Sequence, residues 1–334
     1  MKTVRLVDTT LRDGMHAVSH QLTAEQMAAI AQRLDEAGVS TIEIGQGDGI
    51  GGSSRQYGFA RETDEAYFKA VSKAVKKGKW CALLIPGIGT IEDLKVALEY
   101  NVGTVRVATH VTEADVSEQH IKFANQAGIE AIGFLMMSHM APVETVVEQA
   151  KLMAGYGADI VYVTDSAGAM TPDEVKARIS AVKNAVNLPI GFHAHNNLGL
   201  AIGNTLAALE EGANLVDGTI RGLGAGAGNS QLEVLTAVLD KLGYQTGVDF
   251  YKLMDLGQEL IDPIMHRPQI ISNDALAIGY AGAYGSFLLH ARRAAERFGV
   301  DARDILLEMG NRKAVGGQED LIIDVAIDLS RKQK

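Results

Sequence analysis

Cysteine is almost absent. The 334 residues contain one, Cys81, too few for an internal disulfide or a thiolate metal cluster, and a lone thiol fits a reducing compartment. Dense basic runs are missing too. Lys and Arg number 31 against 41 Asp and Glu, a formal charge of −10, which argues against nucleic acid as the main partner. The longest apolar runs, such as Ala131–Met137, fall far short of the roughly 20 residues that a membrane helix needs. The opening MKTVRLVDTTLRDG carries two Asp and two Arg where a secretory signal would be apolar. There is no low-complexity tract, no Walker-type phosphate loop and no Cys-nucleophile motif. These absences predict a soluble cytoplasmic protein with neither a membrane nor a nucleic-acid partner. With 47% hydrophobic and 22% charged residues the chain is of ordinary globular composition, and its length suits one large or two medium domains.

What is present is a recurring phrase. Ala37-Gly38-Val39, Ala127-Gly128-Ile129, Gly157-Ala158 and Gly212-Ala213 each close a helical segment and precede a short apolar run, with Gly103 in the same role more loosely. A glycine past a helix end followed by a continuous apolar run is the signature of a buried parallel strand. Strands are predicted over 4–9, 41–45, 80–86, 104–109, 129–137, 159–164, 189–195 and 215–220, with amphipathic helices between them. Thr23 and Gln26 form a capping box at the first helix, and Pro172 suits the first turn of the sixth. Eight strand–helix units in about 240 residues match a (β/α)₈ barrel. A doubly wound sheet is the rival, but the count of eight and the polar strand ends favour the barrel. The reading is therefore an α/β protein. Residues 1–248 form a TIM-barrel catalytic domain and 249–334 a C-terminal helical subdomain, with apolar positions at helical spacing in Leu276–Phe287 and Leu321–Leu329.

In such a barrel, chemistry sits on the loops that follow the strands. His193 and His195 are two apart on one strand, so both imidazoles face the same way. Two imidazoles and a carboxylate, with positions left open, make a common divalent-metal site, and Asp13 at the same rim is the chosen carboxylate. The alternative is a pair of satisfied polar histidines. Arg12 offers a charged fork of donors for an enolate or carboxylate, unless it is spent on an ion pair with Asp8, Glu43 or Asp165. His16 is a candidate general base, with His20 as its competitor. His110, His120, His139, His266 and His290 read as surface or packing residues. Gly222–Asn229 is a weak dinucleotide fingerprint, and reads better as a loop that lets backbone approach a ligand. Leu83 and Ile85 share a face and could line an apolar pocket, although plain barrel core is the stronger reading for at least one of them. None of the predicted strands contains a Lys, so a Schiff-base mechanism has no nucleophile and carbonyl chemistry would need a metal.

The runs DTTLRDGMHAVSHQ, GDGIGGSS, LLIPGIGT, ATHVTEADVSEQH, GFLMMSHM, HAHNNLGLAIGN, GAGAGN, GYAGAYGSFLLHA and GGQEDLIID resemble the 4-hydroxy-2-oxovalerate aldolases. Those are metal-dependent lyases related to hydroxymethylglutaryl-CoA lyase. The resemblance implies a barrel with a helical C-terminal domain and cleavage to pyruvate and acetaldehyde, or a short homologue, in the breakdown of aromatic compounds. It implies a divalent cation, manganese first, with magnesium or cobalt as substitutes. It also implies a heterotetrameric complex with an acylating acetaldehyde dehydrogenase that receives the aldehyde directly. By the same resemblance Asp13, His193 and His195 are metal ligands and Arg12 stabilises the enolate. His16 is then the base, Tyr284 positions it, and Ser166 and His193 contact substrate. Gln46 stands where relatives carry His, and Gly285 where Ser is common. Two other readings remain: a Claisen-type condensing enzyme using an acyl-CoA, and a non-catalytic barrel that stabilises a dehydrogenase.

Overall fold

Gly38, Gly128, Gly157 and Gly212 adopt φ of 92°, 75°, 101° and 95°, left-handed values that turn each helix end into the next strand. At the fourth unit the left-handed residue is Asn101 (φ 59°), not Gly103, because Asn also tolerates this conformation. The computed structural model describes residues 2–332. Its strands are β1 (Arg5–Leu11), β2 (Thr41–Ile44), β3 (Lys79–Leu84), β4 (Thr104–His110), β5 (Glu130–Met136), β6 (Ile160–Asp165), β7 (Ile190–Ala194) and β8 (Leu215–Gly218). They close into one parallel barrel in chain order, the seam made by Arg5 opposite Leu215.

The helices α1 (Ala24–Glu36), α2 (Asp64–Ala74), α3 (Ile91–Glu99), α4 (Glu118–Gln126), α5 (Val143–Gly155), α6 (Pro172–Ala185), α7 (Ala201–Glu210) and α8 (Leu232–Lys241) surround it. Thr23 and Gln26 do form the capping box, and Pro172 is the first residue of α6. Between strands and helices lies a continuous apolar shell. Inside the barrel a separate layer, including Val7, Leu83, Phe134, Tyr162 and Leu215, fills the space beneath the mouth. Lys2–Thr3 pairs with Tyr244–Gln245 in a short two-stranded ladder outside the barrel. The third strand begins one residue earlier than predicted, so a strand does contain a lysine. Lys79 is at the exposed starting end of β3, remote from the strand's C-terminal end, and offers no Schiff-base nucleophile there.

Helix α9 (Phe250–Leu256) packs back on the barrel shell through Leu253 and Leu256. A second apolar core begins at α10 (Asn273–Ala281) and continues through α11 (Phe287–Phe298), α12 (Ala302–Asn311) and α13 (Leu321–Lys332). The predicted apolar stretch Leu276–Phe287 is not one helix. Gly282 (φ 63°) ends α10 in a left-handed cap, and the chain turns before Phe287 starts α11.

Candidate active site

After Leu11 the chain leaves β1 at Arg12 and tightens into a short 3₁₀ turn over Asp13–His16. The turn delivers Asp13 to the end of β7. Asp13 Oδ2 lies 3.3 Å from His193 Nε2 and 3.4 Å from His195 Nε2, and all three side chains are buried. The three donor atoms fall within 4.8 Å of one another. Lone-pair-bearing atoms converge this closely only with a proton or a cation between them, and two imidazoles with one carboxylate are the donor set a divalent cation takes.

His193 Nδ1 faces Asp217 Oδ2 at 2.8 Å, a contact that leaves Nε2 turned toward Asp13. Asn229 sits across the cluster, its Nδ2 3.2 Å from Asp13 Oδ2 and 3.3 Å from His193 Nε2. Its Oδ1 is buried without a partner. Turning the amide over would point that oxygen at the cluster, where it would complete a cation's shell. The residues present therefore fit a divalent metal. Burial alone would raise the Asp13 pKa. His195, Arg12 and the hydrogen bonds to His193 and His195 outweigh it and hold the carboxyl well below its ordinary range.

Arg12 is also an ion-pair residue. Its Nε donates to Glu43 Oε2 at 2.7 Å, while NH1 is 3.3 Å from Asp13 Oδ2. Of the three carboxylates considered for it, Glu43 is the partner, and that contact fixes the guanidinium beside the cluster. The His16 ring lies over Gly47, where a Cβ would come within 2.5–2.7 Å of its atoms. His20 packs edge-on to His16, ring centroids 5.1 Å apart, and its Nδ1 accepts from the Gly47 N–H at 3.3 Å. Burial, then the neighbouring His16, pushes the His20 pKa down to about 4.

Residues 3–260 match the HMGL-like family and residues 269–331 the DmpG-like communication domain. A protein of Carboxydothermus hydrogenoformans named 4-hydroxy-2-oxovalerate aldolase is 66% identical over 333 residues, covering 100% of this chain and 99% of that one. The chain belongs to the 4-hydroxy-2-oxovalerate aldolases of the HMGL-like family. Another aldolase of that name, from Geobacillus stearothermophilus, is 57% identical over 330 residues, covering 99% and 96%. Among solved structures, HMG-CoA lyase of Brucella melitensis superposes with a TM-score of 0.69 at 19% identity, covering 80% of this chain and all of that one. The carboxyl transferase domain of Rhizobium etli pyruvate carboxylase gives 0.81 at 18%, covering 99% and 61%. At that identity the two share the fold.

In this aldolase-family chain, Ser166 stands at the end of β6, its hydroxyl accepting from the Met137 N–H at 3.1 Å and meeting Thr164 Oγ1 at 3.0 Å. Tyr284 packs against His110 at the end of β4. Its ring stacks on His110 at 6.4 Å and touches Phe287 at 5.7 Å, and no hydrogen bond or ring contact joins it to His16 among the described residues. Burial raises its phenol pKa. His110 and His139 are packing residues between the barrel and the second core, since His139 Nε2 meets the carbonyl of Gly282 at 3.0 Å. Sequence reasoning missed Asn229 and Asp217. Asn229 is 216 residues from Asp13, and only the GAGAGN loop hinted that this segment approaches a ligand.

Proposed function

We propose that the chain cleaves 4-hydroxy-2-oxovalerate, or a short homologue, to pyruvate and acetaldehyde, or the corresponding short aldehyde. The observation that carries this is the convergence of Asp13, His193 and His195 beside Arg12, with His16 on the same rim loop. Asp13, His193 and His195 would hold a divalent cation, with Asn229 beside them. Manganese is the first choice, and magnesium or cobalt suits the same mixed nitrogen and oxygen donors. Bound there, a divalent metal supplies Lewis acidity toward a 2-oxo acid.

The protein's own groups account for the proton and charge movements. His16 takes the proton from the 4-hydroxyl, the C3–C4 bond breaks, and the hydroxyl carbon leaves as the aldehyde. The bonding electrons pass to C3 and on to the 2-oxo oxygen, forming the pyruvate enolate. Arg12, held by Glu43, donates to that enolate, and Ser166 and His193 border the substrate. Preorganised donors of this kind are worth about 10²–10³ in rate each. C3 then takes a proton and pyruvate departs. Tyr284, its ring stacked on His110, would position His16. Gln46, whose amide Nε2 is bonded to the Tyr57 and Gly58 carbonyls, shapes the second loop.

The unit from residue 249 onward, whose own core begins at α10, is the partner-binding part, and its proposed partner is an acylating acetaldehyde dehydrogenase in a heterotetramer. Support comes from the communication-domain match and from the exposed Leu276 and Tyr280, one helical turn apart on α10. Aromatic-compound catabolism in the cytoplasm is the proposed setting, which the buried free thiol of Cys81 fits. The test is a lactate-dehydrogenase-coupled pyruvate assay on 4-hydroxy-2-oxovalerate, after chelation, with and without added Mn²⁺. Pyruvate formed only after Mn²⁺ addition supports the reading, and no pyruvate under either condition overturns it.

A further inference from the structure

Beneath the proposed cation cluster the barrel interior holds a fully buried charge, Arg106, where barrels of this kind place apolar layers. Its guanidinium grips Asp217 with both terminal nitrogens, NH1 to Oδ2 at 2.6 Å and NH2 to Oδ1 at 2.8 Å. NH1 also lies 3.6 Å from Glu43 Oε1, the carboxylate whose other oxygen carries Arg12. The mutually stacked rings of Tyr162 and Phe134 lie 4.5 and 5.1 Å from the cation, and Phe134 also meets the His193 ring edge-on at 5.6 Å. Gly191 makes this packing possible, since a Cβ there would lie 2.0 Å from the Tyr162 ring. The contacts close a ring of buried groups: Arg12, Glu43, Arg106, Asp217, His193, Asp13 and back to Arg12.

A buried ion pair at this depth gives little or no stability over an apolar layer of the same volume, so stability alone does not account for it. What the pair does is geometric. Asp217 has one oxygen on His193 Nδ1 and both oxygens on Arg106, so the carboxylate cannot rotate. A carboxylate fixed there keeps the Nδ1 proton on that side of the imidazole and turns the Nε2 lone pair toward Asp13. We propose that Asp217 and Arg106 are positioning residues for His193, locking its tautomer and ring angle for a divalent cation that neither residue touches. The proposal rests on the cation site described above and deepens it.

The test measures Mn²⁺ affinity directly, by electron paramagnetic resonance of free Mn²⁺, without reference to turnover. Asp217→Asn keeps the shape and removes the charge. Arg106→Lys keeps the charge and removes the two-pronged grip. Each variant is expected to bind Mn²⁺ about 10–100-fold more weakly than wild type. A merely structural role would lower the unfolding temperature and leave the dissociation constant unchanged, and that result in a folded variant overturns the proposal. A second measurement needs no variant. Wild type loaded with Co²⁺ should show a hyperfine-shifted, slowly exchanging Nδ1 proton on His193, and its absence overturns the proposal as well. If wild type binds Mn²⁺ and the variants match it, only the positioning role falls. If wild type binds none, the metal site itself falls.

Discussion

His20 Nδ1 accepts a hydrogen bond from the Gly47 N–H at 3.3 Å, and the bare Cα of that same glycine is the floor on which the His16 ring rests. The two histidines therefore differ in availability. His20 is buried and tied to the second loop, while His16 is only half-buried. His16→Ala is expected to lower kcat by about 10²–10⁴-fold, the usual contribution of a positioned base. The variant should still exchange pyruvate methyl protons, because Arg12 and the cation cluster remain. His20→Asn should cost no more than about tenfold, since an amide oxygen replaces the acceptor and Asn suits the left-handed φ of 60°. Steady-state kinetics on both variants decides, and a larger loss in His20→Asn would reassign the base.

The same burial gives a pH effect on stability. His20 titrates near 4 in the fold, against an ordinary value of 6.5, so the unfolded chain binds the extra proton first. Stability from this group is complete above pH 6.5 and drains away as the pH falls toward 4. Urea unfolding at pH 7 and pH 5 should show a drop in wild type that is about 1–2 kcal/mol larger than in His20→Asn. Equal drops in the two proteins would mean that His20 is not held neutral.

Much of this was legible from residue order because barrel architecture is local. Each unit carries its own glycine stop and apolar run, and rim residues follow strand ends, so Asp13, His193 and His195 could be named before any contact was known. Long-range partners were not legible. Nothing near Asp217 in sequence announces that it faces His193 24 residues away and Arg106 111 residues away. The break at Gly282 was hidden because apolar spacing runs through the turn, and only the backbone angle reveals it. Asn101 displaced Gly103 as the left-handed residue for a similar reason, since either residue type suits the conformation.

The cation cluster makes its own prediction. Asp13→Ala or His195→Ala removes one of three converging donors and should abolish bound metal together with nearly all cleavage. Asn229→Ala should weaken Mn²⁺ binding by about tenfold or more while leaving the fold intact, because its buried Oδ1 has no other partner to lose. Metal content by mass spectrometry after dialysis, alongside circular dichroism, checks all three. Unchanged stoichiometry in both Asp13→Ala and His195→Ala would refute the ligand assignment.

Gly316 lies beside Tyr284, where an added Cβ would be 3.5 Å from the ring, and Gly317 faces open space, with nothing within 4 Å of an added Cβ. Gly317 is exposed on the outer surface, so a route there for a two-carbon molecule would be completed only by a partner covering this face. Gly317 also has φ of 92°, so any side chain strains the backbone whether or not it blocks a path. Two variants separate the effects. Gly317→Ala introduces the strain with one carbon, and Gly317→Phe adds bulk to the same strain. Both should keep aldol cleavage near wild type, because the residue is outside the cation cluster. Only Gly317→Phe should divert acetaldehyde into solution when the co-expressed dehydrogenase is present. The readout is capture of leaked aldehyde by an external alcohol dehydrogenase, while CoA-dependent NADH formation falls. Equal leakage from Gly317→Ala and Gly317→Phe would attribute the effect to backbone strain and sink the route. Failure of any dehydrogenase to co-purify would sink the partnership itself.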